Sequence, residues 1–206
     1  MSYPTSLTDT ELSAVNQILG AVGQAPIQTL DQTNPDVDLA YTTLSDISRS
    51  VQAEGWNFNT ENEYPMLPDT SGFIYVTSEM LSIDLSDIPD NRGYQVTQRD
   101  GKLYNKTNHT FVWDNTATYK CDIVWLVDFK SCPQVFQDYI IAKASVLASV
   151  KMIGDKDQYV LLQDREKSTR ANLLEADCNQ ANYSMLGYNR GESFYSSYQP
   201  FLTLAR

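Results

Sequence analysis

Between Ser131 and Gly154 the apolar positions fall into two adjacent rows at a spacing of three and four. Phe136, Ile140, Leu147 and Val150 form one row, interrupted by Lys143; Val135, Tyr139, Ala142, Val146 and Ile153 form the other. This spacing predicts a helix over 131–153 with a stripe wide enough to meet more than one partner. Ser131 and Gln134 have capping-box spacing, Pro133 suits a first turn, and Gly154 marks the end. The segment is too short, and too interrupted by Lys143 and Lys151, to span a membrane.

The same period recurs near the start. Leu12, Val15, Leu19 and Val22 predict a first helix, opened by a Thr8–Glu11 capping box with a Leu7–Leu12 staple and stopped by Gly23 and Pro26. A connector over 24–33 carries Ile27 and Leu30 as anchors. Asn34-Pro35 opens a second helix whose seam is Val37, Ala40, Leu44, Ile47 and Val51; Gly55 ends it, and Trp56 and Phe58 turn extended toward the edge of a helical core.

From 60 to 130 the helical period gives way to short β-branched and aromatic runs. Strands are predicted at Phe73–Thr77, around Leu81, Ile83 and Leu85, at Tyr94–Gln98 and Lys102–Lys106 on either side of Asp100-Gly101, at Thr110–Trp113, and from Tyr119 to Phe129. Asp100-Gly101 is the strongest hairpin signal in the chain. Asp155 and Gln158 offer a box for a fourth helix over roughly 156–178, about 35 Å long. Its Tyr159, Leu162, Leu173 and Ala176 can face a partner, whereas 163–170 is polar all round. Such a stretch suits a solvated surface, or a helix that reaches another subunit or lines a channel, with Asp164, Arg165, Glu166, Lys167 and Arg170 as the contact candidates. Beyond it, Tyr183, Tyr188, Phe194, Tyr195, Tyr198 and Phe201 are carried on Ser, Gly and Asn without a period. Aromatics in that setting predict an arm that orders on another surface.

The expected fold is therefore α+β: a four-helix bundle built from N- and C-terminal helix pairs (1–59 and 131–180), an inserted small antiparallel β domain (60–130), and an extended C-terminal arm (181–206).

Charge narrows the function. With 26 acidic and 15 basic side chains the net charge is −11, which disfavours non-specific phosphate binding. The basic residues Lys143, Lys151, Lys156, Arg165, Lys167 and Arg170 are interleaved with acids and form no basic stripe. Cys121, Cys132 and Cys178 are odd in number and lack C-x-x-C spacing, so no disulfide framework or zinc site is indicated. The start of the chain has neither a basic region nor an apolar run, so no signal peptide is expected, and the sequons at Asn105 and Asn108 carry no glycosylation reading. His109 alone builds no triad, and no Walker A, G-x-S-x-G or G-x-G-x-x-G motif occurs. Asp84, Asp87 and Asp90 are three apart, unlike a calcium loop. With Asp114 and Asp122 they are the carboxylates available to the alternative reading, a hydrolase that uses acidic residues of the β insert. No cofactor is expected.

Particular stretches sharpen this. Glu11-Leu12-Ser13-Ala14-Val15-Asn16 with Ile18-Leu19, Thr29-Leu30, Gly55-Trp56-Asn57-Phe58-Asn59, Leu67-Pro68-Asp69, Tyr139-Ile140 with Lys143-Ala144-Ser145, and Met185-Leu186 follow one another in an order and spacing that resembles the tail tubular protein A family of short-tailed phages. The likeness covers most of the helical part and little of 60–130. It implies a structural protein of the virion tail, made in the host cytoplasm and without enzymatic activity. Twelve copies would form an adaptor, or gatekeeper, ring that joins the portal protein to the nozzle, tail tubular protein B. Tail fibres would attach near that junction, and genomic DNA would pass through during ejection without specific binding. An acidic chain and an aromatic arm suit that role.

Overall fold

The structure is a computed structural model that describes residues 9–31, 33–88, 91 and 93–181. It is α+β, with helices α1 (Asp9–Ala21) and α2 (Pro35–Gln52), strands β1 (Thr60–Met66), β2 (Met80–Leu85), β3 (Val96–Arg99), β4 (Lys102–Asn105) and β5 (Tyr119–Trp125), then helices α3 (Gln134–Met152) and α4 (Lys156–Ala181).

The helix α3 is the centre of the helical part, in contact with α1, α2 and α4. Its expected double stripe is an understatement. Phe136, Gln137, Tyr139, Ile140, Ile141, Ala142, Ala144, Ser145, Val146, Ala148 and Ser149 are all buried, as befits a helix with neighbours on several sides. Around it gather Val15, Ile18 and Leu19 of α1 and Val37, Ala40, Leu44 and Val51 of α2, the seam read from the sequence. Trp56 and Phe58 meet Phe136 edge-on at 5.4 and 4.6 Å between ring centroids, so both aromatics belong to this core.

Several helix ends differ from expectation. Ser131 does not cap α3: it lies in a 3-10 turn, Phe129–Ser131, the N-cap is Pro133, and Gln134 bonds forward to Asp138 at 2.8 Å. The intervening turn displaces the helix start past the Ser, so the box cannot close. At α4, Asp155 does cap, accepting from the Asp157 N–H at 3.2 Å, but Gln158 reaches instead to the Ala21 carbonyl and ties α4 to α1. Asn34 caps α2 through the Asp36 N–H as expected, at 3.1 Å. The Thr8–Glu11 box and the Leu7 staple rest on residues outside the described ones. In the connector, Ile27 packs on the core and exchanges two bonds with the Asn16 amide at 2.7 and 3.0 Å, whereas Leu30 is exposed beside Val37 and Tyr41 and is not part of the core.

Two antiparallel sheets lie between α2 and α3 in the chain. One has the order β1-β5-β2, and the other is the β3-β4 hairpin closed at Asp100 and Gly101, both at positive φ. Ile74, Val76, Met80, Ile83, Leu103, Trp113, Tyr119, Cys121 and Ile123 form a second core. The expected strand at Phe73–Thr77 is not a strand. The segment buries Ile74 and Val76, as the alternation demands, but only the Tyr75–Lys102 bridge pairs it with the hairpin. The strand expected at Thr110–Trp113 reduces likewise to a bridge between Thr110 and Asn105, and the last strand stops at Trp125, short of Phe129.

Conversely, β1 has no apolar alternation and was not foreseen. It is an edge strand, where Pro65 is tolerated and exposure is high. Besides its antiparallel ladder with β5, side chains hold it: Lys120 to Glu63 at 2.7 Å, Trp125 Nε1 to Glu61 at 3.1 Å, and Tyr64 edge-on to Trp125 at 5.6 Å.

Candidate functional site

The element singled out for contact, α4, binds its own chain in an unusual way. Covered positions along it keep a helical spacing, from Tyr159 and Leu162 through Glu166, Thr169, Arg170 and Leu173 to Ala176 and Asp177. Of the described α4 side chains only Leu173 is buried, and much of the covered side is polar. The helix is therefore fastened by directed bonds as well as by apolar area. Arg170 Nη2 donates to Glu54 Oε2 at 2.8 Å and Nη1 donates to the Tyr139 hydroxyl at 2.8 Å. Its guanidinium also lies 5.4 Å from the Tyr139 ring centroid and 5.9 Å from that of Trp56. Glu54 first, and then Tyr139, raise the pKa of this arginine above its ordinary value. Further along, the Asn57 N–H donates to Asp177 Oδ1 at 3.0 Å.

The five candidates on α4 thus have different settings. Asp164, Arg165 and Lys167 point outward, with Lys167 and Asp164 paired at 3.2 Å. Glu166 is partly covered and borders a cleft, and Arg170 is held in the clasp to Glu54 and Tyr139. That cleft, about 620 Å³, is lined by Ile47 of α2, Lys143, Val146, Leu147 and Val150 of α3, the Gly154-Asp155 turn, and Lys156, Tyr159 and Glu166 of α4. Its floor is apolar and its rim carries charges of both signs. Lys151 is engaged with the Thr43 hydroxyl at 3.4 Å. The aromatic candidates Tyr183, Tyr188, Phe194, Tyr195, Tyr198 and Phe201 lie outside the described residues.

Three of the five carboxylates weighed for hydrolysis, Asp84, Asp114 and Asp122, have structural duties. Strand register places Asp84 opposite Asp122, but Asp122 Oδ1 accepts from the Glu63 N–H at 2.9 Å and from Ser86 Oγ at 2.5 Å. Asp84 accepts from the Leu85 N–H at 2.8 Å. Asp114 closes a turn on Thr116, whose hydroxyl and N–H hold its pKa below the ordinary value. Asp87 is exposed, and Asp90 lies outside the described residues. Burial pushes the Cys121 thiol up to about 12 and the Cys132 thiol up to about 11, away from nucleophilic use. Among the described residues, no group of three or more His, Cys, Asp or Glu could hold a metal ion, and no helix is long and apolar enough to cross a membrane.

The sequence reading missed the joint between helices and sheet. Gln52, at the end of α2, donates to the Val127 carbonyl at 2.9 Å and to Ser48 Oγ at 3.1 Å, and it accepts from the Val127 N–H at 2.8 Å. Asn59 accepts from the Trp56 N–H at 2.9 Å and donates to the carbonyls of Gln52 and Trp125 at 3.0 and 2.8 Å. Both side chains are buried and fully engaged. The available signal was Ser48 and Gln52, four apart beside the apolar seam, and Asn59 closing the Gly55–Asn59 stretch.

This joint falls inside the region shared with known proteins. The family model described as "Tail tubular protein" matches residues 12–183. The chain is also similar to tail tubular protein A of Klebsiella phage KP34, 31% identical over 174 residues that cover 84% of this chain and 90% of the relative. On this evidence the chain belongs to the tail tubular protein family and is a structural component of the virion tail.

Proposed function

We propose that this chain forms an adaptor ring between the portal protein and the tail nozzle, and that the ring surrounds part of the path along which DNA leaves the head. The likeness to a protein named tail tubular protein A, across nearly the whole of both chains, carries the proposal. In this reading the four helices, 1–59 with 131–180, form a bundle that is the body of the ring. Residues 60–130 face a neighbouring tail component, and the arm at 181–206 clasps a neighbour or the portal. Twelve copies, a nozzle of tail tubular protein B and fibres attached near the junction follow the family resemblance.

Two properties support it physically. A net charge of −11 keeps DNA from adhering to a surface that it must pass. The outward Asp164, Arg165 and Lys167 give α4 an open face of mixed charge, suited to a subunit contact or to a wetted channel wall. The test is assembly. The purified chain, alone and mixed with the portal ring of the same phage, is imaged by negative stain with a parallel mass determination. One added ring layer on the portal is the expected result. A persistent monomer in both samples would remove the adaptor reading.

A further inference from the structure

The cleft between α2, α3 and α4 opens beside a group of uncovered apolar side chains at the α3–α4 turn. Val150 and Ile153, at the end of α3, are 50% and 48% exposed; Val160 and Leu161, in the first turns of α4, are 46% and 72% exposed. Of these, Val150 joins the cleft floor of Ile47, Val146, Leu147 and Tyr159 in an apolar surface of the kind that marks an interaction site.

The chain itself supplies matching chemistry. After Ala181 come 25 residues that carry six aromatic side chains along with Met185, Leu186, Leu202 and Leu204. This segment has one acid, Glu192, and two bases, Arg190 and Arg206, in a chain whose net charge is −11, so it approaches the rest of the molecule without the general repulsion. We propose that the cleft receives the aromatic run Phe194–Phe201 from the C-terminal segment of a neighbouring copy, an inference that rests on the ring reading above.

Reach to the chain's own cleft is tight. The segment starts where α4 ends, and the cleft lies at the opposite end of that helix, near Tyr159. At about 1.5 Å per residue those points are roughly 33 Å apart. Retracing that distance at about 3.3 Å per residue consumes about ten residues, nearly all of the stretch before Phe194, laid taut along α4. A cleft on the next copy removes that constraint. The contact is then heterologous, one surface against a different one, which is what a closed ring requires.

The experiment is disulfide capture in the full chain assembled with the portal ring. Exposed Cys178 is first removed as Cys178→Ser, with Cys121 and Cys132 left buried. Val150→Cys on the cleft rim is then combined with Tyr195→Cys and oxidised mildly. The expected product is a ladder of covalent multimers beyond the dimer, which neither single cysteine variant gives. A linked monomer whose two new thiols no longer label would place the segment in its own cleft and overturn the proposal. Rings of normal mass that fail to link would overturn the docking and leave the ring reading standing. Absence of rings in the unmodified chain would sink that reading instead. Val150→Asp gives a second measurement at a half-exposed position: an unchanged helical signal and self-association weakened at least about tenfold are expected. Unchanged association would count against the cleft.

Discussion

At Gly72 the backbone takes φ 78°, a region that side-chain-bearing residues rarely enter. Space is short as well. A Cβ there would sit 2.9 Å from the Trp113 carbonyl oxygen and 2.9 Å from Val112 Cγ1. The contact is close because the Trp113 N–H donates to the Gly72 carbonyl at 2.8 Å, pulling one loop onto the other. Trp113 in turn sends its indole N–H to the Leu103 carbonyl at 2.9 Å and packs edge-on against Tyr119 at 4.8 Å. Gly72→Ala therefore strains the backbone and pushes apart two loops that cover the second core. Strain alone costs about 1–3 kcal/mol, and equilibrium denaturation of the full chain should show at least that loss. Gly93→Ala, also at positive φ but with nothing within 4 Å of the new Cβ, should lose less. Equal losses at the two positions would show that conformation rather than contact governs both.

Among the elements, α1, α2 and α3 announce themselves because each buries a regular apolar stripe. The seam of α2 and the apolar rows of α3 are properties of one helix face, visible in a window of a few turns. The β3-β4 hairpin was equally legible, since Asp100-Gly101 fixes both the turn and the register. Most of what escaped was set by distant partners. Strand β1 depends on Lys120 and Trp125 across the sheet, and the Ser131 cap is defeated by the 3-10 turn around it. On α4 the polar run was legible as polar, but only the position of Glu54 and Tyr139 separates Arg170 from its outward neighbours. The joint belongs to the same class, because Gln52 and Asn59 find their partners at Val127 and Trp125, far along the chain. Asn59→Ala leaves the Trp56 N–H without its acceptor and takes a donor from the Gln52 and Trp125 carbonyls, of which the Gln52 carbonyl keeps the Gly55 N–H at 3.1 Å. A loss of about 1–3 kcal/mol in chemical denaturation is expected. Asn59→Asp keeps the acceptor and loses the donor, so it should recover only part of that stability. Full recovery would mean that the Trp56 contact alone holds the joint.

For the whole molecule, charge and apolar docking pull in opposite directions, and ionic strength separates them. Copies with a net charge of −11 repel one another, and acids outnumber bases 26 to 15 along the chain. At about 0.01 M salt the screening length is about 30 Å, so repulsion acts across whole subunits; at about 1 M it falls to about 3 Å. A ring held chiefly by ion pairs, such as the exposed Lys167–Asp164 pair turned toward neighbours, would weaken as salt rises. A ring held by aromatic segments in apolar clefts gains, because screening removes the repulsion and leaves the burial intact. Self-association measured by sedimentation should therefore strengthen between about 0.01 and 1 M salt. The same series run with chain ending at Ala181 should show little association at either salt. If the full chain instead dissociates as salt rises, its subunits are joined through charged faces, and the outward side of α4 becomes the surface to mutate.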